Sequence, residues 1–126
     1  QRQMCIRDRF AIDVLGTPLI MVLGHDSCGA VTATKNSVES GELPTGFQRD
    51  LVERITPSVL QAQRSGNADL QDMVVEHTKQ TAARMLDQST VISGAVSRGE
   101  AAVIGVFYHL ADGKAELVYS DDPQIS

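Results

Sequence analysis

The sequence predicts an α/β domain, an open, mostly parallel sheet flanked by helices, with a last strand added in antiparallel sense through a C-terminal hairpin. Three observations lead there. Two short apolar runs, PLIMVLG and AAVIGVFYHL, lack polar alternation and read as buried strands. Between them the apolar residues recur at helical spacing. After the second run, Ala111-Asp112-Gly113 signals a tight turn into KAELVY, a third strand.

Taken in order, Ile6, Phe10, Ala11, Val14 and Leu15 fall at helical spacing and Gly16 follows as a stop, so a helix is expected over about residues 5–16. Thr17-Pro18 breaks it. PLIMVLG is too short for an ordinary helix and is expected to be a parallel strand buried on both faces. CGAVTATKNSVESG reads as a helix from Cys28 to near Gly41, and GELPTG as a loop. Three helical pieces follow. FQRDLVERI leads into Thr56-Pro57, where Thr56 can cap and Pro57 can open a second helix, PSVLQAQRSG, closed by Gly66. Leu70, Met73, Val74, His77, Thr78, Thr81, Ala82 and Met85 mark one stripe of a long helix. Ser89-Thr90 can cap a last short helix that Gly99 ends.

The chain has 126 residues, 42% of them hydrophobic, which suits one domain with a modest core. Its formal charge of -5 comes from dispersed residues and leaves no basic stripe, so neither nucleic acid nor an anionic membrane is expected as a partner. No apolar run approaches the roughly 20 residues of a membrane span, and QRQMCIRDRF has no secretory apolar segment; a soluble cytoplasmic protein is expected. With only Cys5 and Cys28, a disulfide framework is excluded.

The chemistry concentrates in LGHDSCGAV. His25 lies just beyond the carboxyl end of the first strand, where ligands gather in open α/β sheets. Cys28 opens the next helix, whose free N–H groups and dipole favour a thiolate. Imidazole and thiolate three residues apart suit zinc, and Gly24 and Gly29 permit close backbone approach. A metal-free reactive thiol at Cys28 is the other chemical reading. Asp26 is expected to be a solvated turn residue, His77 a packed or hydrogen-bonded histidine on the apolar stripe, and His109 and Tyr108 strand residues without a site role.

The block GTPLIMVLGHDSCGAV, the helical middle with ITPSV and the ending GEAAVIGVFYHLADGKAEL together resemble the second half of a β-class carbonic anhydrase of actinobacterial type. The resemblance implies a truncated form of that fold, reversible hydration of carbon dioxide to bicarbonate and a proton, a Zn2+ cofactor, and homodimers or higher oligomers. It implies that His25 and Cys28 are two metal ligands. The family's first zinc-binding cysteine and its Asp-Arg pair lie in an upstream C-S-D-S-R motif that this sequence does not contain. No catalytic residue is therefore assigned, and the chain is expected to be an inactive fragment or, alternatively, a non-catalytic binding or assembly module. QRQMCIRDR resembles translated sequencing-adapter sequence, so residues 1–9 are expected to be non-native, 10–119 a partial domain and 120–126 a tail. Cys5 is expected to lie on a frayed, exposed terminus; because a helix of about 12 residues antiparallel to a strand of about 6 spans a similar length, an accidental third ligand at Cys5 is the alternative.

Overall fold

A computed structural model of the chain describes residues 10–66 and 69–122. Cys5, residues 1–9 and the tail from 123 onward lie outside the described residues. Residues 10–13 are helical (α1), and Ile12 turns inward to the core. Gly16 then takes φ 64°, a left-handed conformation that stops the turn at no steric cost.

Strand β1 (Leu19–His25) pairs in parallel with β2 (Ala102–His109), in a register running from Leu19 opposite Ala102 to His25 opposite Tyr108. Strand β3 (Lys114–Ser120) pairs antiparallel with β2, giving the order β1-β2-β3. The expected hairpin is present: Gly113 adopts φ 71°, and the Lys114 amide donates to Asp112 Oδ1 at 3.0 Å. The sheet is mixed, with one parallel and one antiparallel pair.

The crossover from β1 to β2 is α2 (Gly29–Ser40), α3 (Phe47–Arg64), α4 (Leu70–Gln88) and α5 (Thr90–Ser97). Gly41 ends α2 in the left-handed region at φ 76°, and Ser89 caps α5 by accepting from the Ile92 amide at 3.3 Å, both as the sequence indicates. Helix α4 carries its predicted stripe inward through Met73, Val74, Thr78, Ala82 and Met85.

Two expectations are corrected. The residues on either side of Pro57 form one helix, not two. Val52, Ile55, Ser58, Val59 and Ala62 make a single buried stripe across the proline, and that packing outweighs the lost amide. Thr56, expected to cap, instead donates its hydroxyl to the Val52 carbonyl one turn back at 2.6 Å. Strand β1 is buried on one face only. Ile20 and Gly24 point inward, whereas Leu19, Met21 and Leu23 remain 40%, 51% and 57% exposed. The reason is topological: β2 is central and buried from Ala102 to Phe107, while β1 is an edge strand with no described element packed over its second face.

The core has two parts joined by α4. Ala82 and Met85 pack with Ile12, Ile20, Ile92, Ala95 and Val103 at one end. Met73 and Val74 pack with Val31, Ile55, Val59, Ala62 and Phe107 at the other, against which Cys28 rests. Between them Thr78 fits a notch left by two glycines. A Cβ on Gly24 would collide with Thr78 Oγ1, and one on Gly105 would come within 3.2 Å of Thr78 Cγ2. Helix α4 thus lies close against the strand end that carries His25.

Candidate metal centre at the end of strand β1

His25 is the last residue of β1, and Cys28 is the N-cap of α2 with φ -66° and ψ 115°. The turn between them folds sharply because Ser27 holds φ 55°, a conformation uncommon for a residue with a side chain. The turn is anchored from the neighbouring strand. The Asp26 amide donates to the Tyr108 carbonyl at 3.3 Å, and the Leu110 amide donates to Asp26 Oδ1 and Oδ2 at 3.2 and 3.3 Å. Asp26 is the turn residue expected from the sequence, and its half-exposed carboxylate also clips the β1 turn to the end of β2. An amide-to-carboxylate hydrogen bond at a sequence separation of 84 residues leaves no local signal.

Both donors are chemically ready. His25 Nδ1 lies 2.8 Å from the Asp26 carbonyl, which can only accept, so in the neutral ring Nδ1 carries the proton and Nε2 the lone pair. That arrangement, with a backbone oxygen fixing the ring, is the usual support of a metal-bound histidine. Cys28 makes no side-chain capping hydrogen bond, and its sulfur is a free, partly buried thiol. The Cys28 carbonyl is occupied by Thr32, whose amide and hydroxyl donate to it at 3.0 and 2.8 Å.

His25 and Cys28 open on a cavity of about 330 Å³ walled by β1, α3 and α4, and lined also by Arg54, His77, Thr78 and Arg84. His77 is hydrogen-bonded, as the sequence suggests: its Nδ1 lies 2.9 Å from Ser58 Oγ. Burial, and secondarily the Arg84 guanidinium, hold its pKa below the ordinary histidine value. That His77, Arg54 and Arg84 share a cavity with the His-Cys turn is set by tertiary packing rather than by local sequence. Spacing on α4 separates His77 from Arg84 by two turns, and only the tertiary fold sets α3 and α4 against β1. His109 packs its ring edge-on to Phe107 at 4.9 Å and lies 3.5 Å from Glu116, on the hairpin rather than in the cavity. Tyr108 stands opposite His25 in the ladder. Among the described residues no three His, Cys, Asp or Glu side chains are grouped to hold a metal ion.

A family model described as carbonic anhydrase matches residues 6–115. Among curated relatives, the chain is 46% identical over 108 residues to a carbonic anhydrase of Mycolicibacterium smegmatis, covering 86% of this chain and 52% of that protein. It is 44% identical over 108 residues to carbonic anhydrase 2 of Mycobacterium tuberculosis, with the same coverage. The fold is similar to a tetrameric β-carbonic anhydrase from Sordaria macrospora, with a TM-score of 0.74 at 16% identity over 93% of this chain and 60% of that one. The chain belongs to the β-class carbonic anhydrase family.

This carbonic anhydrase chain spans about half the length of the curated relatives it matches. A further solved relative, the Coccomyxa β-carbonic anhydrase in complex with acetazolamide, has a TM-score of 0.69 at 18% identity and likewise matches over 50% of its own length. β-Class carbonic anhydrases are zinc enzymes, and the donors present fit that ion in kind. One imidazole and one free thiol lie three residues apart at the carboxyl end of a parallel strand. They do not fit it in number, since structural and catalytic zinc sites use at least three protein donors.

Proposed function

We propose that the protein is a zinc-dependent carbonic anhydrase catalysing the reversible hydration of carbon dioxide to bicarbonate and a proton, and that this chain carries two of the three protein ligands of its metal site. The observation that carries the reading is the pair of free donors, His25 Nε2 and Cys28 Sγ, on one anchored turn at the mouth of a largely apolar cavity. Zinc, when bound, polarises a water so that hydroxide is available at neutral pH; the three-histidine carbonic anhydrases, whose site is unrelated, are the general example of this effect.

The chain's own residues have defined tasks. The Asp26 carbonyl fixes the His25 tautomer, the Asp26 carboxylate and Ser27 fix the turn, and Cys28 supplies sulfur. Val22, Val31 and Val74 give the cavity an apolar wall suited to a small uncharged gas molecule. No catalytic residue is assigned, because the sequence has no C-S-D-S-R motif to supply an Asp-Arg pair. The 126-residue polypeptide alone is therefore inactive in this reading, with residues 10–119 forming the body of the domain and 1–9 non-native. Its setting is the cytoplasm and its assembly a homo-oligomer. None of the described helices is long and apolar enough to cross a membrane.

The exposed apolar row Leu19, Met21 and Leu23 favours a second reading, a non-catalytic assembly module that buries this face against a partner. Zinc titration of the purified chain separates the two. Saturable zinc binding that His25→Ala and Cys28→Ser each weaken by at least about tenfold supports the metal site. Absence of binding, or binding that neither substitution changes, favours the module. A zinc-dependent hydration rate above buffer from the chain alone would overturn its proposed inactivity.

A further inference from the structure

Helices α3 and α4 bring together two arginines that the proposed metal site does not use. The helices follow one another through a short connection and run antiparallel, and Ser58 on α3 sets their register. Its hydroxyl oxygen lies 2.9 Å from His77 Nδ1 and donates to Gln80 Oε1 at 3.1 Å. Arg54 stands one turn back from Ser58 on α3, while Thr81 and Arg84 stand one turn on from His77 and Gln80 on α4. In an antiparallel pair those two steps run in the same direction, so Arg54 is set beside Thr81 and Arg84. The cavity agrees, with Leu51, Arg54 and Ile55 lining it from α3 and His77, Thr81 and Arg84 from α4.

Neither guanidinium is neutralised there. Neither Arg54 nor Arg84 makes an ion pair or hydrogen bond with another described residue, and no aspartate or glutamate lines the cavity. The neighbouring hydroxyls have spent their protons on backbone: Thr78 donates to the Val74 carbonyl and Thr81 to the His77 carbonyl, each at 2.8 Å. Arg84 is half-buried and Arg54 exposed, which sets the pair at the rim of a largely apolar space. Two like charges on adjoining turns repel, and their free N–H donors favour an anion between them.

We propose that Arg54 and Arg84 form a receiving site for a planar oxyanion at the rim of this cavity, and that its occupant is bicarbonate. The choice of bicarbonate rests on the carbonic anhydrase reading above. Hydration turns a neutral gas into an anion within walls that include Val22, Val31 and Val74, where a charge is poorly solvated. A guanidinium offers parallel N–H donors in the geometry of a carboxyl group, which an ammonium does not. The pair draws the product from the apolar interior toward solvent, with no bond made or broken.

The test titrates the zinc-free chain, near neutral pH and at constant ionic strength, with sodium bicarbonate, sodium acetate and sodium chloride. Nitrogen-15 NMR follows the arginine Nε–Hε signals. Bicarbonate is expected to move the Arg54 and Arg84 signals saturably, half-complete in the millimolar range, with no such movement by chloride. Arg54→Gln and Arg84→Gln should each weaken the binding by about fivefold or more. Arg84→Lys, which keeps the charge and loses the fork, should weaken it by about threefold or more. No saturable movement with bicarbonate, equal movement with chloride, or binding that none of the substitutions changes overturns the proposal. Acetate binding without bicarbonate binding overturns it too, and would mark the pair as the seat of an acidic side chain. Bicarbonate binding by a chain that takes up no zinc would retain this site and remove the metal reading; zinc uptake without bicarbonate binding would do the reverse.

Discussion

Placing a methyl group on Gly24 tests how β1 is seated on α4. The new Cβ would strike Thr78 Oγ1 and approach Val74 Cγ1 to 3.1 Å. Neither atom can swing away cheaply. Thr78 is buried, β-branched, and held by its hydroxyl donating to the Val74 carbonyl at 2.8 Å, while its methyl fills the space beside Gly105. Overpacking of this kind costs about 1–3 kcal/mol. For a domain of 126 residues each kcal/mol moves the melting temperature by about 4 °C, so Gly24→Ala is expected to lower Tm by about 4–12 °C in calorimetry or thermal circular dichroism. Removing the obstructing oxygen with Thr78→Ala should restore part of that loss in the double variant, although the Val74 contact remains. A Gly24→Ala chain melting within about 1 °C of the parent, or a double variant whose losses simply add, would refute the notch as the reason for glycine here.

Three further outcomes are expected. Asp26→Ala removes the acceptor of the Leu110 amide and should cost about 0.5–1.5 kcal/mol in urea unfolding, with Asp26→Asn less damaging because an acceptor remains. His77 has a folded-state pKa below its unfolded value, so the unfolded chain binds the extra proton first as pH falls. Its contribution to stability is complete above about pH 6.5 and lost as pH drops toward the lower folded value; His77→Gln should flatten that limb of a stability profile measured by denaturant titration. Leu23→Lys, on the exposed face of β1, should leave Tm within a few degrees yet reduce self-association in size-exclusion chromatography with light scattering, and unchanged association would show that this face is not used.

Much of the architecture was legible because it is local. Gly41, Ser89 and the Asp112-Gly113 turn act within a few residues of themselves, and α4 carries its own stripe, so the sequence placed them correctly. What failed depends on neighbours. PLIMVLG has the composition of a strand covered twice, but whether Leu19, Met21 and Leu23 are covered depends on strand order, which no run of residues encodes. Pro57 reads as a helix start until the stripe from Val52 to Ala62 is seen to pack as one surface. At the site, His25 and Cys28 stood out because strand, turn and helix follow in ten residues. Ser58 did not, since a serine on an apolar stripe looks like a tolerated exception until His77 arrives from another helix to occupy it.

The clip between Asp26 and Leu110 bears on the order of events during folding. His25 and Cys28 are three residues apart, yet the tie that shapes their turn closes a loop of 84 residues and needs β2 already docked. The two donors are neighbours in sequence from the moment the chain is made, but the shape of their turn depends on a contact made only once β2 is docked. Zinc should accordingly arrest a finished structure and have little power to nucleate one.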